Sequence, residues 1–228
     1  MAVGRHARIP RRYRGRDIFH WLLATGELDC TVDDVPDARA ARLAPSFPLS
    51  GARGGEQLDL RVLHEAGARI TGRLQGFAGR HAVFADDLDA MVEDADRRMR
   101  RVLAKIDRHA EGERARTPLP AADTVQPISL PTPLRSLDLR AAAIGTVLWA
   151  TGYRRAYPWL RVPALDPHGE LVHDRGVTQV PGLYALGLRL QRKRKSHFIG
   201  GVGEDAAMLA ELILAGRREP ATPVLCAA

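Results

Sequence analysis

Cysteine is nearly absent. The 228 residues hold two, Cys30 and Cys226, far apart and outside any CxxC spacing, so neither a disulfide framework nor a thiol-based metal or redox motif organises the chain. Lysine is scarce as well, with three residues against 31 arginines. Alongside frequent Ala and Gly, that skew fits codon composition as readily as selection for a polyanion, so the net charge of +7 does not by itself specify a nucleic-acid partner. No apolar run approaches the ~20 residues that cross a bilayer, and the Arg-rich opening has neither an apolar signal core nor a small-residue cleavage site. A cytoplasmic location is the expectation. The eight histidines form no HxH or HxxxH pair, which disfavours a metal site. Ser196 beside His197 is mere adjacency, not a positioned nucleophile and base. Neither a GxGxxG opening a βαβ unit nor a Walker loop occurs.

What remains is an ordinary globular balance, 45% hydrophobic and 27% charged, enough for one large or two small cores. Ala2-Val3-Gly4 is an apolar stub that passes at once into a basic loop ending at Gly15, as if it were the last turn of a buried strand. Asp17 reads as an N-cap, with Ile18, Trp21 and Leu22 on one helical face and Gly26 at the stop. A short helix is expected near Val35 to Leu43, another from Leu58 to Glu65 stopped by Gly67, then strands at Arg69 to Leu74 and Ala82 to Phe84 around a turn at Gly76 to Gly79. Asp86 to His109 has the clearest helical period, and its acids precede its bases in the order that suits a helix dipole. Pro118, Pro120, Pro127, Pro131 and Pro133 mark an extended connector. Ala141 to Ala150 is apolar throughout apart from Gly145 and Thr146, short enough for a strand buried on both faces. A further strand is expected at Gly182 to Leu188, and a last helix at Glu204 to Ala215. The grammar is α/β.

The stretch Ser196 to Ala206 carries the most chemistry. Glycines directly before a helix let backbone approach a ligand closely, and the free N–H groups there favour a phosphate, a carboxylate or an anionic flavin ring. A plain tight turn has the same composition, and both readings stand. Glu204 and Asp205 fit N-terminal helix acids better than catalytic groups.

Val147-Leu148-Trp149-Ala150-Thr151-Gly152-Tyr153 resembles the ATG-Tyr signature of flavin-containing monooxygenases and related two-dinucleotide-binding flavoproteins. Pro181-Gly182-Leu183-Tyr184-Ala185-Leu186-Gly187 is similar to the strand before the flavin contact in that superfamily, with Leu188 where an Asp is frequent. Arg192 to Ile199 followed by Gly201 to Ala206 resembles the turn into the last helix of a bacterial branch of these oxidoreductases. Gly4 to Asp17 resembles the segment after its NADPH-type Rossmann unit. These matches run in order from Gly4 to Ala210.

The resemblance implies an FAD/NAD(P)-binding Rossmann-like α/β flavoprotein fold, incomplete at the N-terminus because the two glycine fingerprints of such proteins are not in this sequence. It implies a remnant of an NAD(P)H-binding domain with its long helix over 1–117, a connector over 118–140, and a C-terminal return segment of the FAD domain over 141–228. The implied cofactors are FAD and NADPH, and the implied reaction is hydride transfer from NADPH to FAD, then oxygenation of a small molecule. Arg5, assisted by Arg8, would receive the 2′-phosphate of NADPH. Thr151, Gly152 and Tyr153 would form the hinge, with Gly152 allowing close packing, and Gly187, Gly201, Val202 and Gly203 would face the flavin. A small-molecule substrate follows, with no metal and no membrane, and with a complementary N-terminal half or a second copy as the protein partner. The alternatives are a non-catalytic remnant of such a flavoprotein, exposing apolar surface, and a basic nucleic-acid binder resting on RRYRGR and QRKRKS.

Overall fold

The computed structural model describes residues 1–113, 118–153 and 155–218; Cys226 and the expected boundary at residue 117 lie outside them. The elements are β1 (Arg12–Tyr13), β2 (Arg16–Asp17), α1 (Ile18–Ala24), α2 (Ala38–Arg42), α3 (Leu60–Glu65), β3 (Leu74–Ala78), β4 (His81–Phe84), α4 (Leu88–Glu113), β5 (Ser136–Asp138), β6 (His173–Asp174), β7 (Val177–Thr178) and α5 (Val202–Arg218). Helix and sheet are mixed. The chain divides into two compact units, one of Met1–Thr25 with Ala44–Ala150, the other of Gly26–Leu43 with the chain from Thr151 on.

In the first unit, local signals build α1. The Asp17 side chain accepts from the Phe19 amide, and Ile18, Trp21 and Leu22 are buried along one face. The Trp21 indole donates to the Tyr13 carbonyl at 2.6 Å and meets His109 of α4 edge-on. Along α4 the buried positions Leu88, Ala95, Met99, Leu103, Ile106 and Ala110 recur at helical steps. Asp94 pairs with Arg97 and Arg98 on its outer side. The apolar stub is strand-like, because Ala2 bridges Thr71 in parallel and Val3 joins Leu60, Ile70 and Leu88 in one cluster. Antiparallel β3, β4 and β5 form a three-stranded sheet, in that order, and β1 and β2 a separate two-stranded one. The expected strand at Arg69 to Leu74 instead gives this single bridge; pairing with β4 starts at Leu74 and runs in regular register from Gly76, after an irregularity between them.

The Pro-rich stretch is extended, yet it is tied to the unit. The Arg8 guanidinium donates to the Gln126 carbonyl, Arg14 to the Pro120 carbonyl and the Asp123 carboxylate, and Thr71 to the Leu134 carbonyl. Ile128 and Leu130 pack against the Val3 cluster.

Ala141 to Ala150 departs from expectation. It is not a buried strand: every residue is exposed, Leu148 at 88%, and its described backbone bonds are the turn bonds of Ala142, Ala143 and Ile144 back to Asp138, Arg140 and Leu139. A strand buried on both faces needs a neighbour on each side and a layer above and below. Among the described residues this run has none; Trp149 has one ring contact, edge-on to Phe77.

The second unit is built on β6, β7 and α5. β6 and β7 form a ribbon closed at Gly176, and the strand expected at Gly182 to Leu188 reduces to one bridge, Val177 to Tyr184. Gln191, fully buried, threads this corner by accepting from the Leu188 amide and donating to the Arg175 carbonyl. α5 spans the expected last helix.

Candidate functional site

Every residue expected to contact a flavin belongs to the second unit, and both expected NADPH arginines belong to the first. In the first unit, Arg5 follows the parallel stub Ala2-Val3 and is exposed, with no hydrogen-bond or ion-pair partner among the described residues. The carboxyl end of a parallel strand is where α/β proteins receive nucleotides. Arg8 behaves otherwise. It is 4% exposed and turned inward, with Nη1 2.5 Å from Asp96 and Nε 3.5 Å from Asp59, so its charge is engaged in a buried triad and is not presented to a phosphate. Burial explains this, since a guanidinium leaves water only where carboxylates and carbonyls replace its hydration. Beside the triad, a groove of about 440 Å³ runs between α4 and the connector. Its carboxylates are already engaged, Asp107 by Tyr13 and Arg14, and Asp123 by the Arg14 amide.

In the second unit, Thr151, Gly152 and Tyr153 are all exposed, Tyr153 completely. Gly152 has φ +85°, and a Cβ there would meet nothing within 4 Å. Its glycine is required by left-handed backbone and not by close packing as expected. Gly187 is likewise exposed, at φ +79°.

The turn into α5 is tightly made. The amides of Gly201 and Val202 both donate to the Phe198 carbonyl at 2.9 Å, so these two donors are used inside the turn. A Cβ on Gly201 would sit 2.1 Å from the Lys195 carbonyl oxygen, which makes Gly201 a close-packing glycine, whereas Gly203 is exposed with open space around it. Ile199, wholly exposed, and the part-exposed Phe198 and Leu186 add apolar surface in the same unit.

Charge around this turn is organised by residues that sequence reasoning missed. The Gly26–Leu43 segment lies alongside Arg192 to Lys195. The Val32 amide donates to the Arg192 carbonyl at 2.8 Å, the Arg194 amide to Cys30 at 2.9 Å and the Lys195 amide to Leu28 at 3.1 Å. Glu27 pairs with Arg194 at 2.9 Å, and Asp29 pairs with Lys193 at 3.1 Å and Lys195 at 2.9 Å. The same two lysines reach Glu204, at 2.7 and 2.5 Å, while Arg192 reaches Asp205 at 2.8 Å. Hydrogen bonds from Lys195 and Lys193 hold the Asp29 carboxyl below the usual range, Lys193 and Lys195 do the same to Glu204, and both ammonium groups are raised in return. Ser196, fully buried, accepts from the Arg192 and Lys193 amides and is a structural cap. The one legible signal was the alternation of acids at Glu27 and Asp29 against a later basic run.

Most cations of the basic stretches that prompted the nucleic-acid alternative are thus engaged within their own units. Arg192 to Lys195 all carry ion pairs, Arg11 pairs with Asp17, and Arg16 lies over the Trp21 ring. Among the described residues no cluster of three or more His, Cys, Asp or Glu is arranged to hold a metal ion. No helix there is long and apolar enough to cross a membrane.

The chain is similar in part to three curated proteins. Seventy-two residues are 50% identical to the "Uncharacterized oxidoreductase CzcO-like" of Geobacillus kaustophilus (strain HTA426), covering 31% of this chain and 21% of that protein. Identity to the "Uncharacterized oxidoreductase CzcO" of Bacillus subtilis (strain 168) is 39% over 75 residues, 32% of this chain and 22% of the other. The Bacillus velezensis protein of the same name is 35% identical over 80 residues, 35% and 23% of the respective chains. The matches therefore span about a fifth of the length of these relatives. No family model and no solved structure matches.

Proposed function

We propose that this chain is part of an FAD- and NADPH-dependent oxidoreductase with a Rossmann-like plan resembling flavin-containing monooxygenases. The observation that carries the reading is 50% identity over 72 residues to a protein named an oxidoreductase, repeated at lower identity in two more. Two features of the chain fit the cofactors. Arg5 stands exposed after a parallel stub, suited to a 2′-phosphate. The turn into α5 leaves Gly203 open, in a unit where Ile199 and Phe198 present apolar surface, which suits a flat ring. When bound, the nicotinamide and flavin supply two-electron redox chemistry, with activation of oxygen as the extension the monooxygenase resemblance implies. The chain's own part would be to bind and orient: Arg5 would act through its charge, Gly152 and Gly187 through their backbone, and Lys193 and Lys195 would neutralise Glu204 at the turn proposed to hold the flavin.

The test is cofactor binding by the purified chain. Reconstitution with FAD followed by gel filtration is expected to retain a visible flavin band in stoichiometric amount. Arg5→Glu is expected to weaken NADPH about tenfold while leaving NADH unchanged. A chain that retains no FAD and binds no NADPH overturns the reading. That result favours a second one, a non-catalytic piece of such a flavoprotein, for which the exposed apolar run Ala141 to Ala150 speaks through its tendency to associate.

A further inference from the structure

The segment Gly26–Leu43 is far in sequence from everything else in its unit, yet it makes strand-like contacts with Arg192 to Lys195. Three backbone hydrogen bonds and an antiparallel bridge between Thr31 and Lys193 fix its register. Its three ion-pairing acids divide the work. Asp33 anchors Arg175 at 2.5 Å, Glu27 takes Arg194, and Asp29 takes both lysines. Lys195 is where this segment meets the turn into α5. Its amide is bonded to Leu28, its ammonium group is shared between Asp29 and Glu204, and its carbonyl stands where a Gly201 side chain would be. The Phe198 amide, whose carbonyl closes the turn, itself donates to that Lys195 carbonyl at 2.8 Å.

We propose that Gly26–Leu43 is a salt-responsive latch that fixes the turn entering α5, with Lys195 as the residue that transmits it. The ion pairs are partly exposed: Asp29 and Glu204 side chains are each 42% accessible. Dissolved salt therefore reaches them, and at about 1 M the screening length falls to ~3 Å. The backbone bonds alone then hold the segment, and the turn opens more often. The consequence for flavin affinity rests on the proposed function; the latch does not.

Hydrogen exchange of the whole chain, read over residues 198–206, tests it. Exchange there is expected to rise about threefold to tenfold between low salt and 1 M KCl. Asp29→Asn is expected to show the faster rate already at low salt and to lose most of the salt response, whereas Asp29→Glu restores protection. Glu170→Gln, which removes the separate surface pair with Arg155, is expected to leave the turn unchanged. Equal exchange in Asp29→Asn and the natural chain at low salt, or acceleration spread evenly through the unit, overturns the latch. Parallel FAD titration separates the two ideas: a salt-responsive turn in a chain that binds no FAD keeps the latch and rejects the flavin.

Discussion

Replacing Arg8 with Met tests whether this arginine is a structural charge or a ligand-facing one. The side chains of Arg8, Asp59 and Asp96 are 3–5% accessible, and the guanidinium is the cation between the two carboxylates. Removing one member of a buried pair costs about 3–5 kcal/mol, because the partner is left charged and unhydrated. Two contacts soften that figure. Arg100 still approaches Asp96 at 3.7 Å, and Asp59 still caps α3 through the Val62 amide at 3.1 Å. A loss of about 2–4 kcal/mol is therefore expected, with Arg8→Met/Asp96→Leu recovering part of it because the second change removes one orphaned charge. The assay is urea unfolding followed by tryptophan emission, in which fully buried Trp21 reports on this unit. A single mutant within about 0.5 kcal/mol of the natural chain that binds NADPH more weakly would refute the burial reasoning and return Arg8 to the phosphate.

Three further outcomes follow from the geometry. Tyr13 is pushed up to about 12 by burial and then by Asp107. Its neutral form is favoured in the folded state, so this stability is complete below about pH 10 and lost as pH rises toward 12; phenolate absorbance should show it, and Tyr13→Phe should remove the tyrosine's share of the alkaline loss while the share from the raised Lys193 and Lys195 remains. Gly201→Ala forces a carbon onto the Lys195 carbonyl and should cost about 1–3 kcal/mol by thermal unfolding, whereas Gly203→Ala, with open space around it, should cost about 1 kcal/mol or less. Leu148→Asp should shift stability by no more than about 0.5 kcal/mol, since the side chain is exposed; a loss of several kcal/mol in urea would show that the run is buried after all.

The elements that were legible share one property. α1 was readable from Asp17 and the Ile18, Trp21, Leu22 face, α4 from its period, and α5 from the glycine turn before it, all signals confined to a few residues. The sequence leaves the nucleic-acid reading of the basic runs open as an alternative; part of what neutralises Arg192 to Lys195, Glu27 and Asp29, lies more than a hundred residues away and is not visible as a local pattern. The expected strand at Ala141 to Ala150 was read from hydrophobicity alone, which measures what a segment would prefer to bury and not whether partners are there to bury it.

By itself, then, the sequence determined where the helices lie and the Asp17 cap of α1, the extended character of the proline-rich stretch and the resemblance carried by short motifs, since each depends on neighbours within a turn or two of chain. Tertiary structure alone decided that Arg8 points inward to Asp96, 88 residues away, and that Lys193 meets Asp29 across 164. It also decided which glycine is needed for space and which for backbone angle. Charges, close approaches and strand pairing join distant parts of the chain, and their energy exists only once the fold has brought those parts together.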